Sequence, residues 1–126
     1  MPTAAGTFEI ERHAGAPEAG GAVARHDFTK TFAGDIVGTG AGLMLSAGDP
    51  AAGAAGYVAI EVVTGELAGR SGSFALQQFG TMGSGAERLE YEVVPGSGRG
   101  ELAGISGRFQ LRVENGVHQY VLEYEL

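Results

Sequence analysis

An all-β fold, a single antiparallel β-barrel of about eight strands, is predicted by three features of this 126-residue sequence. Apolar residues recur at period two in short segments, the pattern of strands whose alternate side chains face opposite sides of a sheet. Gly, Pro and Asn-Gly turns bound these segments at spacings of roughly 8–15 residues. No long stretch combines a helical apolar period with a cap at each end, so helix is limited to a turn or two. Closure into a barrel is favoured over an open sheet because it leaves no unpaired edge.

Each strand has its own justification. Residues 6–12 alternate Phe8 and Ile10 with Thr7, Glu9 and Glu11, and residues 13–22, rich in Gly, Ala, Pro and Glu, read as a surface loop. Residues 23–32 set His26, Phe28, Lys30 and Phe32 on one face and Arg25, Asp27, Thr29 and Thr31 on the other, ending at Ala33-Gly34. In the third strand, residues 36–45, Gly38, Gly40 and Gly42 share a face and leave a strip without side chains. Such a strip permits sharp curvature, or makes room for a ligand or a bulky neighbour. After a loop at residues 48–53 come strands at 57–64, 74–79, 87–94, 108–114 and 117–124, the last two joined by Asn115-Gly116. That dipeptide is the strongest short hairpin signal.

Composition bounds the function. One domain spans residues 1–126, and 44 % apolar content argues against disorder despite 23 Gly. Cys is absent, which excludes disulfides, thiolate metal sites and a thiol nucleophile. Eight Lys and Arg against 15 Asp and Glu give a net charge of −7, offering phosphate backbones and anionic lipid no attraction. No nucleic-acid or membrane partner is expected, and no cofactor. The three scattered His lack metal-ligand spacing. The G-x-G-x-G at Gly38 to Gly42 has no helix after it to present an N-terminus to a phosphate. With no signal-like start and no long apolar run, a soluble, cytoplasmic protein is expected.

An internal repeat runs through the middle of the chain. Residues 65–76 match residues 100–111 at nine of 12 positions, and the second copy carries a four-residue insertion around Pro95 to Arg99. Each copy is expected to form a hairpin reversing at Ala68-Gly69 or Ala103-Gly104. Arg70 breaks the repeat, since Ile105 replaces it in the second copy.

The strings Phe32-Ala33-Gly34-Asp35-Ile36-Val37-Gly38-Thr39-Gly40, Gly69-Arg70-Ser71-Gly72-Ser73-Phe74 and Val93-Val94-Pro95-Gly96-Ser97-Gly98 with Gly100-Glu101-Leu102-Ala103-Gly104 resemble an uncharacterised bacterial family labelled as a domain of unknown function. The glycine hairpin Gly96-Ser97-Gly98 with Leu102, Gly104, Gly107 and Leu111 is similar to that of allene oxide cyclases and, more weakly, of dirigent proteins. That resemblance implies an eight-stranded, lipocalin-like barrel with an apolar cavity. Members of the uncharacterised family usually carry His where this chain has Gln78, so no role for that His transfers.

Candidate site residues follow from polar groups set among apolar ones. Glu61 interrupts the apolar run 57–63 on the face of Tyr57, Ala59 and Val63. Pointing inward, its carboxyl would act as general acid or base or fix a polar end of a ligand; pointing outward, it is a solvated residue. Glu92 is its repeat partner, with Arg88 and Glu90 on its face. Of Gln77 and Gln78, one must face inward. His118, Tyr120, Leu122 and Tyr124 share a face, suited to hydrogen bonding a carbonyl or to core packing with polar tips at the rim. Arg70 at a hairpin tip either reaches over a barrel mouth to a carboxylate or is an exposed turn residue.

The reading is a barrel that binds a small, mostly apolar molecule. Glu61, Gln78 and Tyr120 are the expected catalytic set of an isomerase or cyclase, and Arg70, Tyr57, Tyr91, His118 and Tyr124 the substrate-binding set. A non-catalytic carrier and a structural protein with a filled core are the alternatives. A homo-oligomer is compatible with all three.

Overall fold

The computed structural model describes residues 2–126. Nine strands form one antiparallel sheet: β1 (Thr3–Ala14), β2 (Ala24–Gly34), β3 (Ile36–Asp49), β4 (Ala54–Leu67), β5 (Arg70–Gly83), β6 (Ala86–Val93), β7 (Arg99–Gly100), β8 (Ser106–Glu114) and β9 (Val117–Glu125). Their order is β4-β3-β2-β1-β9-β8-β6-β5-β7, and pairing of β4 with β5 closes eight of them into a barrel. The two-residue β7 lies on β5 at Gly72 and Ser73. The predicted barrel is therefore the observed one.

The strands outrun their apolar patterns. Pairing of β3 with β4 continues from Ile36↔Leu67 to Asp49↔Ala54, through Ser46 to Asp49, where no alternation survives. β1 likewise runs into the expected loop, pairing His13 with Asp27 and Ala14 with His26. Once a ladder is started by buried residues, backbone hydrogen bonds extend it without help from side chains. The β4–β5 and β8–β9 hairpins turn at Ala68-Gly69 and Asn115-Gly116, all four residues at positive φ. That is the hairpin geometry whose twist matches the flanking strands, and both reversals fall where the sequence placed them.

The second repeat copy departs from the first. Residues 100–111 form no hairpin: after β6 the chain leaves the sheet at Val94-Pro95, and residues 94–105 fold across one end of the barrel. Pro95 has no N–H to continue a ladder. Leu102 and Ile105 are buried there at 1 % and 2 % exposure, whereas Arg70, the counterpart of Ile105, is exposed. The substitution that breaks the repeat thus falls where the hairpin of the first copy gives way to the plug of the second.

This plug defines a closed end. Ile36, Leu67, Phe74, Leu102, Ile105 and Leu122 are buried with the aromatic rings of Phe32, Phe109 and Tyr120. Phe109 stacks on Tyr120 at 5.5 Å and Phe32 meets Tyr120 edge-on at 5.7 Å. Along β3, Gly38, Gly40 and Gly42 pair with Phe32, Lys30 and Phe28 on the inner face. A Cβ at Gly42 would sit 2.8 Å from Glu61 Cβ and collide with Cζ of the Phe28 ring. The bare strip is room for bulky neighbours.

Candidate functional site

The inner face of the barrel carries two buried charges, Lys30 and Glu61, and both touch Tyr91. Period-two alternation fixes Lys30 inward between Phe28 and Phe32 on β2, and Glu61 inward between Ala59 and Val63 on β4. Lys30 is 4 % exposed and Glu61 2 %. Lys30 Nζ donates to Glu61 Oε1 at 2.9 Å and to the Tyr91 hydroxyl at 2.9 Å. The Tyr91 hydroxyl in turn donates to Glu61 Oε1 through a short hydrogen bond. The ammonium also lies 4.5 Å from the centre of the Phe8 ring and 5.3 Å from that of Phe28. An aromatic collar around a desolvated cation recovers part of the hydration it has lost.

Glu61 Oε2, by contrast, is buried and has no hydrogen-bond partner among the described residues. It lies over Gly40, where an added Cβ would come within 3.1 Å of it. The glycine strip therefore accommodates the carboxylate as well as the rings. A buried acceptor without a donor is costly, and natural proteins leave few of them.

Burial shifts the basicity of this cluster. Desolvation pulls the Lys30 amine below its ordinary value; the Glu61 carboxylate opposes that shift, and the Arg12 guanidinium adds to it. Burial drives the Tyr91 phenol well above its ordinary value, reinforced by the Glu61 charge and hydrogen bond. The arrangement holds the Lys30 amine and the Tyr91 hydroxyl against one carboxylate oxygen and leaves the other oxygen free to accept.

Toward the open end, the inward positions become mixed. Met44, Tyr57, Gln78 and Leu111 are partly buried there, and Arg12 stands at the rim. Tyr57 Oη donates to Gln78 Oε1 at 3.4 Å, a long bond that leaves both groups available to another partner. Burial raises the Tyr57 phenol, partly offset by Arg12. His26 is also inward and half-buried, its Nδ1 without a partner among the described residues.

Of the expected site residues, the structure brings Glu61 and Tyr91 together, with Gln78 and Tyr57 in the adjoining inward positions of β4 and β5. Tyr120 stands apart from them. Its hydroxyl accepts from Ile36 N–H at 2.9 Å and donates to Ala33 C=O at 3.0 Å, fastening the β2–β3 turn at the closed end. Tyr124 is packed in the same half. Arg70 lies on the β4–β5 turn at the closed end, exposed, and spans no mouth. His118 stacks on Phe8 at 5.0 Å and borders a depression of about 360 Å³ between β1 and the β8–β9 hairpin. Glu92 and Gln77 point outward and hydrogen-bond each other at 3.2 Å.

Lys30 is the site residue that sequence reasoning passed over. Its signal was present: a cation at an inward position between two Phe, in a chain whose one acidic residue in an apolar strand needs a counter-charge. No cluster of three His, Cys, Asp or Glu able to hold a metal occurs among the described residues. No helix among them is long and apolar enough to cross a membrane.

Fold and site together define a closed antiparallel β-barrel, plugged at one end, with an ion pair and a phenol buried in its wall. Residues 4–124 match the family described as "Protein of unknown function (DUF3224)", and the chain belongs to that family. It is similar over its whole length to a crystal structure of a DUF3224-family protein of unknown function from Shewanella oneidensis MR-1, at 42 % identity, with a TM-score of 0.92 and 98 % of that chain covered. Comparison with curated proteins gives no match.

Proposed function

We propose that this barrel binds a small, mostly apolar molecule at its open end and that the Lys30–Glu61–Tyr91 cluster meets the molecule's polar group. The observation that carries this reading is Glu61 Oε2, a desolvated carboxylate oxygen with an unmet acceptor position. Inward Phe28, Met44 and Leu111 supply an apolar lining, and Gln78 and Tyr57, joined only by a long bond, supply adjustable hydrogen bonds. Few placed polar groups on an apolar wall are what small-molecule sites share.

The chemistry this favours is a cofactor-independent isomerisation or cyclisation, the class implied by the likeness to allene oxide cyclases. Glu61 Oε2 accepts a proton from a carbon beside a carbonyl and returns it at another position, while the Lys30 ammonium, with one N–H beyond those given to Glu61 and Tyr91, holds the developing oxyanion and Tyr91 keeps Glu61 in place. Glu61 and Gln78 keep the roles expected of them, and Lys30 and Tyr91 take the place of Tyr120. The rival reading, a non-catalytic carrier, uses the same inward residues without proton transfer. The filled closed half favours the third reading, a structural barrel.

Native mass spectrometry of protein purified from its own host tests binding. The wild type is expected to retain a small molecule, and Gln78→Trp, which fills the open end, to lose it. An empty wild type would refute both ligand readings. Incubating the retained molecule in deuterated water with wild type and Glu61→Gln separates catalysis from storage: exchange that depends on Glu61 marks an isomerase, and its absence a carrier.

A further inference from the structure

The outside of the barrel is as unevenly furnished as the inside. Outward positions on β1, β2, β6 and β8 carry charges such as Glu9, Asp27, Glu90 and Arg108. Outward positions of β3 from Val37 to Leu45, of β4 from Val58 to Thr64 and of β5 from Ser73 to Phe79 carry none. On this face Val37, Val58, Ile60 and Val62 are 57 %, 53 %, 57 % and 48 % exposed. The register sets Leu43 beside Ile60 and Leu45 beside Val58. These four residues, with Gln77 and Phe79, line a groove of about 450 Å³ edged by Glu90 and Glu92. Contiguous exposed apolar surface with a polar rim marks an interaction site.

We propose that this face is the interface of a homodimer, in which a two-fold axis runs parallel to the strands between β3 and β4. A chain of net charge −7 approaches a second copy with least repulsion where charge is missing, and here the outward positions of three adjacent strands carry none. A two-fold axis between β3 and β4 sets the exposed Val58 and Ile60 of each copy against the half-buried Leu45 and Leu43 of the other, so one operation covers the grooves of both copies. Such self-complementarity is what an isologous contact requires.

The rims agree with this axis. It places β2 of one copy over β5 of the other, and Arg25 lies level with Leu45, Val58, Phe79 and Glu90 across the sheet. Arg25 therefore faces the partner's Phe79 and reaches toward the carboxylates edging its groove, while Asp27 faces the Gln77 amide. The other two-fold axis, across the strands, sets Glu90 and Glu92 against themselves.

Strand geometry sizes the contact. Three strands about 4.8 Å apart, over some eight residues of about 3.3 Å each, present roughly 400 Å² per copy. A stable interface of standard size takes about 800 Å² from each partner, so the dimer is a weak one that dissociates on dilution.

Sedimentation velocity of the full chain from about 1 μM to about 500 μM reads this out. The mass is expected to rise from 12.8 kDa toward twice that value across the range. Ile60→Glu and Val62→Lys, at exposed positions, are expected to remain monomeric throughout with unchanged melting temperature. Thr7→Glu, on the far side, is expected to dimerise like the wild type. A wild type that stays monomeric at the highest concentration overturns the proposal, and so does self-association that survives both substitutions. Loss of dimerisation in Thr7→Glu also overturns it, because the contact would then lie elsewhere.

Discussion

At the closed end, inward side chains meet one another: Ile36, Leu67, Leu102 and Leu122 are at most 1 % exposed, and the Tyr120 hydroxyl that reaches in among them has both its hydrogen bonds made by backbone. Toward the open end, the same eight strands present Lys30, Glu61, Tyr91, Gln78 and Tyr57, whose bonds are to each other and in part unmade. Both halves use a single alternation rule on a single sheet. The difference lies in where the chain spends polar residues, and it shows that a tyrosine in a barrel interior serves structure where backbone groups saturate it and remains free for chemistry where side chains share it.

Removing one charge strikes the polar half hardest. Lys30→Met leaves Glu61 buried without its cation and is expected to cost about 3–5 kcal/mol in urea unfolding, whereas Lys30→Met with Glu61→Leu recovers most of that loss. Recovery of stability without recovery of ligand retention would show the ion pair to be kept for function. A single substitution costing nothing would erase the contrast between the halves.

Large-to-small changes sharpen it from the other side. Leu102→Ala, in the plug, is expected to cost about 2–5 kcal/mol through cavity formation, and Met44→Ala, half-exposed toward the open end, clearly less. The two hydroxyls should divide in the same way. Tyr120→Phe strands the buried Ile36 N–H and is expected to cost about 1–3 kcal/mol, while Tyr57→Phe loses a 3.4 Å contact and has a smaller effect.

Alkaline unfolding separates the titrating groups. The Tyr91 phenol is held above its ordinary 10.0, so the native state keeps this proton when the unfolded chain has released it. Its contribution is complete below pH 10.0 and declines as pH rises toward the raised value. Lys30 acts with opposite sign: held below its ordinary 10.5, it makes the unfolded chain the better proton binder, so stability rises with pH in the window beneath that value. Urea midpoints measured from about pH 8 to about pH 11 should fall less steeply at the alkaline end in Tyr91→Phe, and lose the rising component in Lys30→Met. The smallest effect belongs to Arg70→Ala, expected within about 0.5 kcal/mol of wild type because the residue is exposed on its turn.

The barrel was legible because alternation, turn chemistry and the lack of a helical period all pointed one way. Glu61 stood out in sequence because a carboxylate in an apolar strand demands an explanation. Lys30 did not, since a lysine on the face of Phe28 and Phe32 at a strand's middle becomes a site residue only once the partner for its charge, Glu61 two strands away, is known. The role of Tyr120 depends on Ile36 and Ala33, more than 80 residues away, and no local pattern encodes such a partner. The repeat misled for a related reason. Nine shared positions in 12 predicted two hairpins, but Pro95 and Ile105 outweigh them, one by removing a ladder donor and the other by preferring burial.

The exit of the chain at Pro95 leaves a seam. Around the ring, β3 and β4 share 14 register pairs, whereas β6 and β8 share one, Glu92↔Arg108. Solvent isotope should enter the barrel there first: amides flanking that pair exchange through local opening at little cost, while those of β3 and β4 wait for global unfolding. Tyr91 stands on one lip of the seam and Phe109 on the other, their ring centres 4.5 Å apart. Opening of the seam is therefore expected to part the aromatic wall beside Lys30 and Glu61 and to wet the barrel's most deeply buried charges before the rest of its core.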